Sequence, residues 1–450
     1  MSLRFGTDGV RGPAHELTDP LVAALGRAAV AVLGPHRFVI GRDTRESGPR
    51  LEHALAAGVV AAGGGAELLG VVPTPAVAHV SASQGVPGVV ISASHNAYGD
   101  NGIKFFAPGG LKLTDAVEEA LEAELDRLVA AGDGEPDPGQ VGAELAQAAA
   151  HDLAGYEGAV AASLEGRDLA GMHVVIDCAN GSASYVAPEV LRQLGAEVEV
   201  IHAAPDGRNI NHACGSTHPG DLQAAVVASG AAVGLAFDGD ADRVVAVDEH
   251  GDLIDGDHLL ALCAIDLRRR GELTHDAVVV TVMTNLGFRL AMADQGIEVV
   301  ETQVGDRYVL EALEGRGLAL GGEQSGHVIF RRLATTGDGL LTGVQLLDLV
   351  NRAGRPLSAL AAAAMTRLPQ VLTSVAVTRV GDGDSAVAAI ADQIAAVEAE
   401  LGDRGRVLVR PSGTEALVRV MVEAVDPEAA RSGADRLVAA LESVTGLAGT

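Results

Sequence analysis

The chain has 450 residues, 48% of them hydrophobic, and a formal net charge of −28 from 32 Lys and Arg against 60 Asp and Glu. That length points to three or four ordered domains. So acidic a chain repels phosphate backbones and anionic lipid, which sets aside nucleic acid and membranes as partners and requires a local basic pocket for any anionic substrate. No apolar run reaches spanning length and no secretory leader is apparent. Cys178, Cys214 and Cys263 form no paired or CxxC pattern, so a cytoplasmic protein is expected, with neither a disulfide framework nor a thiolate metal site.

The first stretch with chemical character is Phe5-Gly6-Thr7-Asp8-Gly9-Val10-Arg11-Gly12, a glycine-rich loop whose amides and one guanidinium suit an anion. Thr18-Asp19-Pro20 opens a helix expected to run to residue 33. A pattern then recurs three times. Arg37-Phe38-Val39-Ile40 reads as a strand, residues 49–62 as a helix, and Ala66-Glu67-Leu68-Leu69 as a second strand. The second copy has a strand at 174–177, a helix to 194 and a strand at 197–201. The third has a strand at 278–283, a helix to 295 and a strand at 297–300. Each is a βαβ unit, the building block of a parallel sheet.

Each unit is followed by one more strand that ends in a polar loop. Val89-Val90-Ile91 leads into Ser92-Ala93-Ser94-His95-Asn96. The strand at 233–237 leads into Asp238-Gly239-Asp240-Ala241-Asp242-Arg243, and that at 317–320 into Gly321-Gly322-Glu323-Gln324-Ser325-Gly326-His327. Ligands of open α/β sheets bind at the carboxyl ends of strands, which is where these loops fall. A helical stretch is expected over 143–164 and a surface loop over 133–139. From residue 367 the pattern changes to strand, helix, strand, strand, helix, with Arg410-Pro411-Ser412-Gly413-Thr414-Glu415 between two strands and Arg419 on the second. The expected architecture is therefore α/β. Three similar mixed-sheet domains (1–150, 151–254, 255–366) and a C-terminal α+β domain (367–450) surround a central cleft.

The residue types constrain the chemistry. Three alternating carboxylates repel one another unless a hard cation relieves them, and oxygen-only ligands favour Mg²⁺ or Ca²⁺. An EF-hand is disfavoured, because Arg243 stands where its loop needs glycine and 244–247 reads as a strand. Glu323 suits sugar hydroxyls or an amine, and His327 a proton transfer near neutral pH. Arg410 with Ser412, Gly413 and Thr414 suits a phosphate. Only two lysines occur, Lys104 and Lys112, and Lys104 is read as held by a chemical requirement. A carrier hydroxyl, a carboxylate metal site, a sugar-type loop and a phosphate clamp suit phosphoryl transfer on a phosphosugar. By alternation Ser92 and Ser94 are equally placed to be the carrier. Each loop taken singly also reads as an ordinary polar turn. A non-catalytic calcium or sugar-phosphate sensor is the alternative of another class.

Six segments in order, 5–12, 41–45, 92–96 with Gly102-Ile103-Lys104, 238–243, 321–327 and 410–415, resemble the α-D-phosphohexomutases over essentially the whole chain. The Gln324 position, and Asn209-Ile210-Asn211 followed by Cys214-Gly215-Ser216-Thr217-His218, resemble the branch acting on glucosamine phosphates rather than on mannose or glucose phosphates. The resemblance implies that Ser94 carries a phosphoryl group. Ser94 would transfer it to O1 of glucosamine 6-phosphate and recover one from O6 of the 1,6-bisphosphate. The product, glucosamine 1-phosphate, feeds UDP-N-acetylglucosamine and cell-wall synthesis. It implies one Mg²⁺ on Asp238, Asp240, Asp242 and the phosphoserine. Arg11, His95, Lys104 and Arg243 would line the transfer site, with Lys104 and His327 as candidates for the proton. Glu323 and Ser325 would read sugar hydroxyls. Arg410, Ser412, Gly413, Thr414 and Arg419 would bind the distal phosphate. A homodimer is the assembly it suggests. Two departures, Ala97 where the family usually has proline and Gly99 where an aromatic is common, are expected to loosen the serine loop.

Overall fold

The computed structural model describes residues 5–6, 9–132, 145–147, 150–379, 381–412 and 416–446. Four sheets organise them. In the first, strand Arg37–Arg42 runs parallel to Gly65–Val71 on one side and to Gly88–Ile91 on the other. Gly88–Ile91 then pairs antiparallel with Asp100–Ala107, and that strand antiparallel with Gly9–Pro13. Every residue of Gly88–Ile91 is buried, which is why its sequence is a continuous apolar run rather than an alternation.

The second sheet repeats the plan. Glu197–Ile201, His173–Asp177 and Val233–Phe237 are parallel, and Val244–Asp248 returns antiparallel. So does the third, with Glu298–Thr302, Ala277–Thr281 and Leu320–Gly322 parallel and Val328–Phe330 antiparallel. In all three the chain leaves its last parallel strand and comes back as that strand's antiparallel neighbour. The polar loop is the turn between them, so it projects from the carboxyl ends of parallel strands. The fourth sheet, Gln370–Ala376, Leu417–Ala424 and Gly405–Pro411, is antiparallel throughout.

Contacts divide the chain into two compact units, Met1–Met283 with Gln295–Ala364, and Thr284–Asp294 with Met365–Thr450. In the second unit Asn285 and Glu423 explain why a piece of the third repeat groups with the last sheet. Asn285 Nδ2 donates to Glu423 Oε1 (2.9 Å) and to the Leu368 carbonyl (3.1 Å), and the Leu286 amide donates to Glu423 Oε2 (3.1 Å).

Two expected elements differ. Over 143–164, Leu145–Gln147 is a strand pairing parallel with residues 66–68, and the helix is Ala150–Ala162. An open sheet edge presents unpaired amides and carbonyls, and pairing with them overrides a weak helical pattern. The strand expected at 317–320 begins only at Leu320, because Gly317 ends helix Asp306–Arg316 in the left-handed conformation (φ 65°). The expected loop at 133–139 lies outside the described residues.

Helices Asp19–Leu33 and Gly48–Ala61 pack with unusually close backbones. A Cβ at Gly58 would lie 2.0 Å from the Ala23 carbonyl oxygen, and one at Gly26 2.4 Å from that of Leu55. Gly58→Ala gains about 1 kcal/mol of helix propensity, but the obstacle is main chain and cannot rotate away. We expect a net loss of about 1–3 kcal/mol from overpacking, read as a lower denaturation midpoint. An unchanged or raised midpoint would refute this packing.

Candidate active site

The serine loop is held from beneath. Ser92 Oγ donates to Asp43 Oδ2 (2.6 Å) and accepts the Ser94 amide (2.9 Å). Ser92 Oγ is thus engaged in holding the loop, through one donated and one accepted hydrogen bond. Ser94 has φ 52°, a left-handed conformation that costs a side-chain-bearing residue about 1–2 kcal/mol. The surroundings enforce it. Arg45, fully buried, pairs through Nε with Asp43 Oδ2 (2.8 Å). Its Nη atoms donate to the carbonyls of Ser94 (2.9 Å), Asn96 (2.8 Å), Asp100 (3.1 Å) and Ala97. Asn211 Nδ2 reaches the Ser94 carbonyl (2.8 Å) and that of Asn96 (3.1 Å). Burial raises the pKa of Asp43, against the pull of Arg45 and the Ser92 hydrogen bond. The loop that carries Ala97 and Gly99 is held through its carbonyls rather than through the side chains at those positions.

Ser94 Oγ donates to Asp238 Oδ2 at 2.6 Å. Asp238, Asp240 and Asp242 are all buried, on the turn after Val233–Phe237. Gly239 is required there, since a Cβ would lie 2.7 Å from the Ser94 carbonyl oxygen. Lys104, 1% exposed, extends from strand Asp100–Ala107 and sits 2.8 Å from Asp240 Oδ2 and 3.4 Å from Asp242 Oδ2. Thr74 Oγ1 donates to Asp240 Oδ2 (2.7 Å). Burial, then the charges of Asp242 and Asp240, push the pKa of Asp238 well up. For Asp242 burial acts the same way, but Lys104, His327 and Arg243 outweigh it and hold the carboxyl well below the usual range. Asp240 Oδ1 and Asp242 Oδ1 are buried and make no hydrogen bond, and the three side chains bring one oxygen each within 4.8 Å of one another. Orphaned anionic oxygens so close together fit a hard divalent cation. An EF-hand is excluded, because Val244–Asp248 is a strand and Glu249 accepts from Ser358 instead.

His95 lies beside the serine, Nδ1 being 3.4 Å from Ser94 Oγ and 3.1 Å from Arg243 Nη1. A guanidinium only donates, so Nδ1 carries the lone pair. Burial, with Arg243 and Arg11, lowers the His95 pKa to about 4. Arg11 is half-buried on Gly9–Pro13, in register with Gly102. His327 is 2% exposed, with Nδ1 3.8 Å from Asp242 Oδ2. Burial opposes its charge, yet Asp242, Asp306 and Glu323 raise its pKa. The Gly337 amide donates to Nε2 (3.2 Å), so in the neutral ring Nδ1 carries the hydrogen, facing Asp242. Glu323 and Ser325, on the same turn, remain half-exposed, and Glu323 Oε1 accepts the Gly305 amide (3.1 Å).

The first unit thus brings together Ser94, His95, Lys104, Asp238, Asp240, Asp242 and Arg243, with His327 behind Asp242. In the second unit Arg410 and Arg419 are direct partners across antiparallel strands. Burial and then Arg419 lower the Arg410 pKa. Ser412 donates its amide to the Leu417 carbonyl (2.9 Å). Gly413 and Thr414 lie outside the described residues. Sequence reasoning assigned no role to Asp43, Arg45, Thr74 or Asn211. Asp43 and Arg45 had a signal, an acid and a base in a loop at a strand's carboxyl end; Thr74 had none.

Four family models match, described as Phosphoglucomutase/phosphomannomutase alpha/beta/alpha domain I (residues 2–130), domain II (155–251), domain III (255–368) and C-terminal domain (372–440). A curated phosphoglucosamine mutase of Moorella thermoacetica is 54% identical over 438 residues, covering 95% of this chain and 96% of its own. The chain belongs to the phosphoglucosamine mutases of the α-D-phosphohexomutase family. Its activity is that of a hexosamine phosphate mutase, an isomerase acting on a small molecule. Among solved structures, a phosphoglucomutase/phosphomannomutase family protein of Burkholderia thailandensis superposes with TM-score 0.78 at 25% identity, covering 98% of both chains. The N-acetylphosphoglucosamine mutase of Aspergillus fumigatus, described in complex with GlcNAc-6P and magnesium, shares the fold with TM-score 0.71 at 19% identity, over 99% of this chain and 96% of its own.

Two predictions follow from the geometry. Arg45→Met leaves Asp43 buried without its charge partner and strips donors from four carbonyls, so stability falls by about 3–5 kcal/mol in chemical denaturation; a loss under about 1 kcal/mol would contradict the network's role. For His95 the folded pKa of about 4 lies below the ordinary 6.5. The unfolded chain therefore binds a proton that the folded one refuses, and stability falls as pH drops from 6.5 toward 4, with no contribution above. Denaturation at stepped pH should show a shallower slope in that window for His95→Gln; identical slopes would count against the assignment.

Proposed function

We propose that the chain converts glucosamine 6-phosphate and glucosamine 1-phosphate into one another through a phosphoryl group carried on Ser94. The observation that carries this reading is Ser94 Oγ lying 2.6 Å from a buried carboxylate whose neighbours keep two oxygens unbonded. Asp238, Asp240 and Asp242 hold Mg²⁺ in this reading, which neutralises charge on the moving phosphoryl group. In one half-reaction the bond from Ser94 Oγ to phosphorus breaks as O1 of the sugar bonds to phosphorus and gives up its proton. In the other, Ser94 Oγ takes the phosphoryl from O6 and O6 is protonated, so the 1,6-bisphosphate is consumed and the serine is restored.

The residues then have distinct tasks. The hydrogen bond to Asp238 fixes the direction of the serine O–H. Arg243 and Arg11 place positive charge by the serine, while His95, neutral at working pH, orients Arg243 without adding charge. Lys104 pairs with Asp240 and keeps Asp242 ionised, and His327 holds Asp242 from the other side. Glu323 and Ser325 are the accessible groups for sugar hydroxyls, and the Glu323 carboxylate suits an ammonium at C2. Arg410, Ser412, Gly413, Thr414 and Arg419 take the phosphate that stays in place, with two guanidiniums side by side to match a dianion. The product would feed UDP-N-acetylglucosamine in the cytoplasm, from a homodimer. Among the described residues no helix is long and apolar enough to cross a membrane.

Intact mass and turnover test the carrier directly. The purified protein should carry the mass of one phosphate, and Ser94→Ala should lose both that mass and conversion of glucosamine 6-phosphate. Ser92→Ala should keep the phosphate while losing stability. Retention of the phosphate by Ser94→Ala would sink the reading.

A further inference from the structure

A second cluster of ligating side chains lies at the carboxyl edge of the second sheet and shares no residue with the aspartate turn. Asp177 ends strand His173–Asp177, His202 is the first residue after Glu197–Ile201, and Cys214 lies on the segment before helix Gly220–Ser229. Strand register places Ile201 beside Asp177, which brings His202 to the same edge. One ligand atom from each of Asp177, His202 and Cys214 lies within 4.8 Å of the other two. Asp177 and Cys214 are fully buried, and the imidazole keeps 27% exposure, leaving one side open.

The imidazole is set in a way that asks for a third atom. Its Nε2 is 3.2 Å from Asp221 Oδ2, so the ring stands between two carboxylates. Nδ1 is buried, lies 3.1 Å from Asp177 Oδ2, and makes no hydrogen bond of acceptable geometry. Asp177 Oδ2 already accepts the Gly215 amide (2.9 Å) and Oδ1 the Ala179 amide (2.8 Å). A buried ring nitrogen and a carboxylate oxygen thus lie close without a hydrogen bond, beside a thiol whose sulfur accepts from Asn180 Nδ2 at 3.9 Å. A histidine with one nitrogen close to a carboxylate and the other turned into a cluster of ligands has the placement of metal-binding histidines.

We propose that Asp177, His202 Nδ1 and Cys214 Sγ bind a transition-metal cation of the zinc class, with water as the remaining ligand. Sulfur and imidazole select such an ion over Mg²⁺, which the oxygen-only aspartate turn prefers. The spacing of 25 residues from Asp177 to His202 and 12 from there to Cys214 follows from the numbering and matches no sequence motif, so only the fold reveals the group. Its occupancy bears on the serine loop. Asn211, within the segment from His202 to Cys214, donates its amide to the Ala179 carbonyl (2.9 Å) and its side chain to the Ser94 carbonyl. An ion tying His202 and Cys214 to Asp177 would pin both ends of that segment.

Cobalt titration of the full chain, with excess Mg²⁺ to occupy the aspartates, tests this. We expect one Co²⁺ per chain with a near-ultraviolet thiolate-to-cobalt band, which an all-oxygen site cannot give. Cys214→Ser should abolish the band, Cys178→Ser should keep it, and Asp221→Asn, at a solvent-exposed carboxylate, should weaken Co²⁺ binding by about 10–100-fold. Absence of the band in the unaltered protein overturns the proposal irrespective of how any variant folds, and so does its survival in Cys214→Ser. Either result leaves the Ser94 reading untouched.

Discussion

Three carboxylates buried around one hydroxyl set the terms for the first unit. Removing each charge from water costs several kcal/mol, and their mutual repulsion adds to it. What offsets this comes from separate sheets. Lys104, Thr74 and Ser94 belong to the first, the aspartates to the second, and His327 to the third. The compensation of the turn is therefore complete only with all three repeats in place. The compensation is also uneven. Asp242 has Lys104, His327 and Arg243 about it and is held strongly ionised, whereas Asp238 has the Ser94 hydroxyl and the Arg243 amide (3.3 Å) and is pushed toward protonation. Asp238, beside Ser94, is the carboxylate whose charge is least compensated, although both of its oxygens accept a hydrogen bond.

The serine loop solves a different problem. A left-handed Ser94 is unfavourable alone and persists only where the surroundings over-determine it. Here one buried guanidinium collects four carbonyls of the loop, and Asn211 secures two of them from another sheet. Carbonyls are present whatever the side chains, so this device does not depend on the side chains at positions 97 and 99. The rigidity comes from the acceptors' shared donor and not from the loop's own composition.

Much of this was legible in the sequence. Strands buried on both faces are runs of valine, isoleucine and leucine, and the three polar turns stand out against them. That legibility stops at contacts between elements far apart in the chain. Nothing local to Thr74 says that it meets Asp240, and nothing in the alternation of Ser92 and Ser94 says which hydroxyl is committed to Asp43. Residues 145–147 were misread for the same reason, since their conformation is dictated by the sheet edge they join. Arg45 lay between these cases. Its burial was invisible in sequence, yet a charged pair directly after an apolar strand is a pattern that buried networks require.

The second unit shows the opposite sign of the same principle. Arg410 and Arg419 are held directly opposite each other by strand register, and like charges in that position destabilise a sheet. Burial first, and then the charge of Arg419, lower the Arg410 guanidinium below its ordinary pKa. A fold indifferent to ligands would separate such a pair, because a one-residue change of register sends one of the two to the other face. Strand pairing runs without a bulge from Gly405 to Pro411 against Ala424 to Val418, so the two charges are kept together by the whole length of that pairing. Such a pair is the counterpart in sign of the crowded aspartates in the first unit, and it is the arrangement on which the proposed phosphate site rests.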